Sequence, residues 1–243
     1  MRPVTALLRY QAAILLRSHR WIFPLIAYGL LIAVGAAGSS SLAETLDWSG
    51  AMLVPITAFL TRAMLTAEPD AARACVAAAA GGPARVQLAT LIIPLGGGAL
   101  LGLAGVIFDV LTAEAATAPG SGGLAAKVTA VARHPGIAAG GLLIALVCLL
   151  VGSAAGALCN PPLLRHPAAA MLSTLAAIIL GLAADVSPAS AAIGHAGAQA
   201  TGPLAAHWPG AGALLGAVGV VAVTWGISVA AATRRDSWSA SSG

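Results

Sequence analysis

Charged and aromatic side chains are scarce in this sequence of 243 residues. Only 8% of the residues are charged and 4% are aromatic, whereas 59% are hydrophobic. About a quarter of an average soluble domain is charged, so this composition excludes an ordinary soluble domain. Long unbroken apolar runs also disfavour a membrane barrel, which is built from short alternating strands. The sequence therefore predicts an all-α integral membrane protein.

Lysine occurs only once, at Lys127. A phosphate-binding loop of the Walker A type needs a lysine followed by serine or threonine. Lys127 is followed by Val128. We therefore expect no nucleotide or other cofactor to be bound by this chain, and no ATPase activity of its own.

Cysteine and histidine are also few and scattered. The three cysteines, Cys75, Cys148 and Cys159, have unrelated spacings that indicate neither a disulfide framework nor a zinc site. The five histidines lie far apart in the sequence, and the HExxH motif is absent. The pattern predicts no metal site.

Six apolar runs are each long enough to cross a bilayer as a helix, which takes about 17–25 residues. These runs predict six transmembrane helices within a domain spanning residues 21–232. Their predicted bounds are Trp21–Gly38, Ser49–Thr66, Gln87–Val110, Gly136–Leu158, Ala168–Val186 and Pro209–Ala231.

Residues 1–20 precede the first apolar run and have the pattern of a two-faced helix. Four arginines fall on one face at 100° per residue, and leucine, isoleucine and valine fall on the other. Such a helix lies in the membrane interface with its basic face toward anionic lipid headgroups. The predicted lipid-facing basic residues are Arg2, Arg9, Arg17 and Arg20.

The distribution of basic residues predicts the orientation of the spans. With the amino terminus inside, ten arginines lie on the cytoplasmic side, and only Lys127 and Arg133 lie outside. This asymmetry predicts a multi-pass protein of the inner or plasma membrane with both termini in the cytoplasm. The tail at residues 233–243 is then a short cytoplasmic segment.

The segment between spans two and three, residues 68–86, is the longest polar interruption on the predicted cytoplasmic side. It begins at Glu68-Pro69-Asp70, continues through an alanine-rich stretch and breaks at Gly81-Gly82-Pro83. Proline at the start and glycine at the end favour a short helix followed by a turn. A plain connecting loop is the alternative interpretation.

Few charged or nucleophilic groups fall within the spans. Asp109 and Asp185 lie near predicted outer ends, where we expect them to be close to water. Ser153 in the fourth span and His195 after the fifth raise the possibility of an intramembrane serine protease. The GxSG motif of the rhomboid-type enzymes is absent, and a serine in a Gly/Ala-rich helix is usually a packing residue.

The whole layout resembles the permease subunit of type-2 ABC exporters. The resemblance rests on the amphipathic amino-terminal helix, the six spans, and the helix and turn between spans two and three. Glu68 is similar to the acidic start of the family's coupling segment, and Pro83-Ala84-Arg85 is similar to its P-S-R-like turn. Ala71-Ala72 replaces the usual Gly-Thr pair, and the usual lysine of span three is missing.

The resemblance implies a separate cytoplasmic ATPase subunit that binds ATP and magnesium, and a second permease, identical or homologous, that completes a dimer. It implies alternating access that moves a hydrophobic or amphipathic cargo, and no nucleic-acid partner. The residues implied to couple the permease to the ATPase are Glu68, Asp70, Arg73, Val76, Pro83 and Arg85. A non-transporting membrane scaffold or immunity-type protein and, less favoured, a serine protease stay open as alternatives.

Overall fold

The computed structural model describes residues 2–38, 42–112, 135–159, 167–184, 187–198 and 209–241. Every regular element in these ranges is an α-helix, which confirms the all-α prediction for this part of the chain. The helices are α1 (Arg2–Arg17), α2 (Ile22–Gly38), α3 (Leu42–Leu65), α4 (Asp70–Ala80), α5 (Pro83–Thr112), α6 (Pro135–Leu158), α7 (Pro167–Ala183), α8 (Pro188–Ala198) and α9 (Ala211–Ser241).

Five helical stretches among the described residues are long and apolar enough to cross a membrane. A sixth is obtained if α1 and α2, which meet at a bend of 72°, are counted together. These helices are compatible with a multi-pass membrane protein. The number of crossings and the side on which the termini lie stay predictions.

The amino-terminal helix is shorter than the predicted helix over residues 1–20. It ends at Arg17, and His19 has a positive φ of 54°, which a right-handed helix cannot accommodate. The hydroxyl of Ser18 donates to the carbonyl of Leu15 at 2.9 Å and helps to close the helix end. Arg20 consequently lies in the turn before α2 and not on the basic face of α1.

Helices α3 and α6 form the centre of the bundle. Each packs against the other, and both also contact α5, α7 and α8. Glycines permit this close approach: a Cβ atom on Gly156 would lie 2.5 Å from the carbonyl oxygen of Ala58, and one on Gly152 would collide with the backbone of Val54. Small residues at helix interfaces let backbones approach in this way, as expected from the Gly/Ala-rich sequence.

A further short helix follows α7 in the chain. Residues 188–198 form α8, and Ala189 and Ala192 in this helix are completely buried against the bundle. Ser187 accepts a hydrogen bond from the backbone N–H of Ala189 at 3.3 Å, and Pro188 occupies the first helical position. This is a favourable helix start, and small side chains let the short helix enter the core.

Asp109 lies in a different environment from the one we expected. It is close to the end of α5 in sequence, yet its side chain is completely buried, and neither carboxyl oxygen has a hydrogen-bond partner in the described part of the chain. The Asp109 side chain is therefore shielded from water, although it lies near the end of its helix. Asp185 lies outside the described residues.

Candidate functional site

The candidate site lies at the end of the bundle where α3 ends and α5 begins. The short helix α4 connects them, and we call this end of the bundle the α4 end. Pro69 precedes α4 in an extended conformation, with φ −60° and ψ 147°. Gly81 and Gly82 follow with φ values of 80° and 133°, a conformation that favours glycine. The N–H of Gly82 donates to the carbonyl of Ala77 at 2.8 Å, which ends α4 and turns the chain into α5.

One face of α4 packs against the rest of the protein. Ala77 is buried, and Val76 and Ala80 are half-buried beside it. The partners come from α1 and α5, and they are Leu7, Leu8, Val86 and Ala89. This apolar cluster holds α4 at a defined position, so the segment is not a plain connecting loop.

Glu68 ties this end of the bundle to α1. The hydroxyl of Tyr10 donates to Oε1 of Glu68 at 2.9 Å, and the amide of Gln11 donates to Oε2 at 3.4 Å. Glu68 is 8% exposed and Gln11 is 1% exposed, so the Gln11 contact is shielded from water. The carboxylate therefore connects two segments that are 57 residues apart in sequence.

Three arginines close helix ends within the chain. Arg73 donates to the carbonyl of Leu65 at 3.1 Å, and Arg85 donates to the carbonyl of Ala80 at 3.1 Å. Arg20 donates to the carbonyl of Thr66 at 3.2 Å. Carbonyls at helix carboxyl ends lack partners inside the helix and carry partial negative charge, so cationic side chains stabilise them. Arg73 and Arg85 thus already have partners inside the protein.

The other predicted site residues lie on α1, on α4 and at the start of α5. Arg9 and Arg17 are exposed on α1, as a lipid-facing basic side requires. Val76 points toward α1 and α5, so it contacts the protein's own core, and Pro83 begins α5. The side chains of Arg2 and Asp70 lie outside the described residues.

The opposite face of α4 is exposed and consists of small side chains. These residues are Ala71, Ala74, Cys75, Ala78 and Ala79. A helix with such a face can enter a groove on another protein, because no bulky side chain keeps the backbones apart. The fold thus holds one face of α4 against the protein and leaves the other face exposed.

Tyr10 and Gln11 were not predicted as site residues. A signal was present in the pattern of α1: Gln11 lies four residues after Leu7 and four before Leu15, on the apolar face. All three are buried. A lone polar residue on an apolar helix face needs a hydrogen-bond partner when it is buried, and here that partner is Glu68.

A second buried polar contact extends from this end toward the last helix. The amide of Gln87 on α5 donates to the hydroxyl of Ser228 on α9 at 2.7 Å. Both side chains are buried. Because α5 directly follows α4, this bond connects the α4 end to the carboxyl-terminal helix.

Ser153 lies away from this site, inside α6. It is 1% exposed, and its hydroxyl donates to the carbonyl of Leu150 at 2.8 Å. A nucleophilic serine needs an accessible hydroxyl and a base within hydrogen-bond reach. The observed position is that of a packing residue in a tight helix interface. The side chain of His195 lies outside the described residues.

The Tyr10–Glu68 bond has a consequence for ionisation. The hydrogen bond to Glu68 raises the pKa of the Tyr10 phenol above its ordinary value of 10.0, and burial and the charge of Glu68 act in the same direction. The bond favours the protonated phenol, so its stabilising effect is complete below the ordinary pKa and is lost as pH rises through the raised one.

We therefore expect Glu68→Ala to lower the pH at which Tyr10 ionises, toward about 10. The measurement is a tyrosinate absorbance titration in a Tyr28→Phe background, where Tyr10 is the one remaining tyrosine. Thr66→Ala is the control and should leave the midpoint unchanged. Equal midpoints with and without Glu68 would contradict the contact.

The candidate site thus combines a held short helix, a carboxylate contact to α1 and arginines that close helix ends. The exposed face of α4 and the position of this helix between the two long apolar helices α3 and α5 are the features that indicate a function. Comparison with models of known protein families, with curated proteins and with solved structures finds no match for this chain.

Proposed function

We propose that this chain is the permease subunit of an ATP-driven exporter similar to the type-2 ABC class. In this proposal α4 docks in a groove of a separate ATPase subunit and transmits its movement to the membrane helices. The observation that carries the proposal is the two-faced packing of α4. One face is held by α1 and α5, and the other is an exposed row of small residues.

The contacts of α4 supply a route for movement. A displacement of α4 would act on α1 through the apolar cluster around Ala77, and Glu68 links α1 to the turn just before α4. It would act on α5 through the Gly81-Gly82 turn, and on α9 through the bond between Gln87 and Ser228. Rigid helices joined by a few specific contacts are suited to carry such a displacement across a bundle.

The orientation proposed for the chain places the α4 end in the cytoplasm. Arginines on α1, at the end of α3, on α4 and at the start of α5 all belong to this end. Cytoplasmic loops of membrane proteins are enriched in basic residues, which supports this placement. ATP and magnesium would then be bound by the partner on this side.

The transmembrane helices would form the transport pathway. A second permease, identical or homologous, would complete the pathway, and the cargo would be hydrophobic or amphipathic. Large apolar side chains are exposed on four helices around the central pair, namely Phe23 on α2, Leu100 on α5, Leu172 on α7 and Leu215 on α9. Lipid or a second permease has to cover such surfaces.

The test is a steric block on the exposed face of α4. Ala78→Trp places a large ring where the groove of the ATPase would lie, without disturbing the packed face. We expect wild-type protein purified in mild detergent from its native host to bring down an ATPase. Ala78→Trp should weaken that complex by about tenfold or more, corresponding to at least about 1.4 kcal/mol.

Ala169→Trp is the matched control, because Ala169 is an exposed alanine on α7. It should leave both the complex and its ATPase activity unchanged. Charge reversal at Arg73 is a poorer test, since Arg73 closes the end of α3 and its loss would disturb the fold locally. Purification of the wild type with no ATPase would overturn the proposal and favour a non-transporting scaffold.

A further inference from the structure

A cavity of about 480 Å³ lies away from the α4 end, between α2, α3 and α8. Its volume is within the range of roughly 300–1,000 Å³ that small-molecule pockets occupy. The walls are mainly apolar and include Val34 on α2, Ala51 on α3 and Ile193 on α8. No bulky side chain projects from Gly38, so the cavity reaches the backbone of α2 there.

One wall is the indole ring of Trp48, and its position is fixed. The ring lies against Gly35, where a Cβ atom would collide with it. Its Nε1 donates to the carbonyl of Leu31 at 2.9 Å. Packing and hydrogen bonding together hold the aromatic face in place, so the wall does not need to be ordered when a ligand enters.

The polar part of the cavity is acidic. Glu44 and Asp47 lie three residues apart on the same side of α3, and both line the cavity. The Oδ1 atom of Asp47 is buried and has no hydrogen-bond partner among the residues that the structure describes. A buried carboxylate oxygen without a donor is costly, and a bound cation would relieve that cost. No arginine, lysine or histidine is among the described residues that line the cavity.

From the cavity size, its fixed aromatic wall and its unpaired carboxylate oxygen, we propose that it binds a soluble organic cation that carries apolar groups. The cationic centre lies near Asp47 and Glu44. The apolar groups contact Trp48, Val34 and Ile193. Trp48 adds attraction between its ring and the positive charge. This inference requires no ATPase partner and holds whether or not the ligand is transported.

The probe is radiolabelled tetraphenylphosphonium, measured by equilibrium dialysis with the full chain in an uncharged detergent. We expect saturable binding to the wild type. Asp47→Asn keeps the shape of the side chain and removes its charge, so it should weaken binding by about tenfold or more. Gly38→Leu should abolish binding by filling the cavity, and a Cβ atom at this position would meet no atom of the described residues within 4 Å.

Asp109→Asn is the matched control, because it removes a buried carboxyl that does not line the cavity. It should leave binding within about twofold of the wild type, because the substituted carboxyl lies outside the cavity. Neutral triphenylphosphine oxide, which carries the same aryl groups, should not displace the probe. Dodecylphosphocholine should not displace it either, and displacement would assign the site to a lipid headgroup.

Non-saturable uptake overturns the inference. Equal binding by the wild type and Gly38→Leu also overturns it. This comparison still tests binding in the cavity if Asp47→Asn does not fold. Because no ATPase is present in the assay, failure here is separate from failure of the proposed docking of α4.

Discussion

Replacing Gly152 by leucine is expected to destabilise the helix bundle by at least about 3 kcal/mol, the upper part of the usual range for overpacking. Gly152 faces α3, and any Cβ atom there would collide with the backbone carbonyl of Val54 and the hydroxyl of Thr57. A backbone cannot move aside as the end of a flexible side chain can. Helices α3 and α6 would have to separate, and they form the centre of the fold.

Reactivity of the buried cysteines reports this unfolding. Cys148 and Cys159 are buried, whereas Cys75 is exposed. A thiol-reactive dye should therefore label Cys75 at once and the other two only as the bundle opens on heating. In a Cys75→Ala background, the labelling temperature of Gly152→Leu should fall well below that of the parent.

Gly219→Leu on α9 is the matched control for this substitution. It makes the same change in a helix of the same bundle, but its Cβ atom would meet no atom of the described ranges within 4 Å. The labelling temperature should therefore stay near that of the parent. A drop of equal size in both variants would show that leucine is unfavourable for reasons other than the α3–α6 contact, and would contradict the packing argument.

Substituting Glu68 by alanine is expected to release α1 from the α4 end. The substitution removes the acceptor of two hydrogen bonds and leaves the buried amide of Gln11 without a partner, a penalty of about 1–3 kcal/mol. Amide hydrogen exchange in residues 5–17 should accelerate by about tenfold or more, since 1.4 kcal/mol corresponds to a factor of ten. Exchange in α6 should not change.

Thr66→Ala provides the control for this release. It removes the exposed contacts of the Thr66 hydroxyl with Arg20 and with the carbonyl of Arg62 and leaves the carbonyl of Thr66 in place, so exchange in α1 should change little. Gln11→Leu combined with Glu68→Ala should recover part of the loss, because the unpaired buried amide is then absent. Unchanged exchange of α1 in Glu68→Ala would contradict the contact.

Helix α3 belongs to both regions of interest. Glu44 and Asp47 near its start line the cavity, and Leu65 at its end accepts the hydrogen bond from Arg73. With 24 residues at 1.5 Å per residue, it is about 36 Å long. A shift of this helix would therefore move residues at the cavity and at the α4 end together. Binding of the organic cation to wild-type protein offers a way to look for that connection by hydrogen exchange in α4.

The local part of this structure could be predicted from the sequence. The helical class follows from composition, because long apolar segments in a bilayer must satisfy their backbone groups internally. The short helix α4 and its turn follow from Pro69 and from Gly81-Gly82-Pro83, whose conformational preferences act within a few residues. The two-faced character of α1 follows from the spacing of its arginines. Only its end was misplaced, since nothing local indicated the positive φ of His19.

The partners of individual side chains were decided by the tertiary structure. Glu68 accepts hydrogen bonds from α1, and Arg73 donates to a carbonyl at the end of α3, whereas their contacts with an ATPase stay a prediction. Asp109 was expected near water and is buried, and the small side chains of Ala189 and Ala192 on α8 are completely buried. The sequence alone determined that the long apolar segments are helices, because helical hydrogen bonds join residues four apart. Which helices touch depends on how small and large side chains fit between segments far apart in the chain, and only the packed bundle decides that.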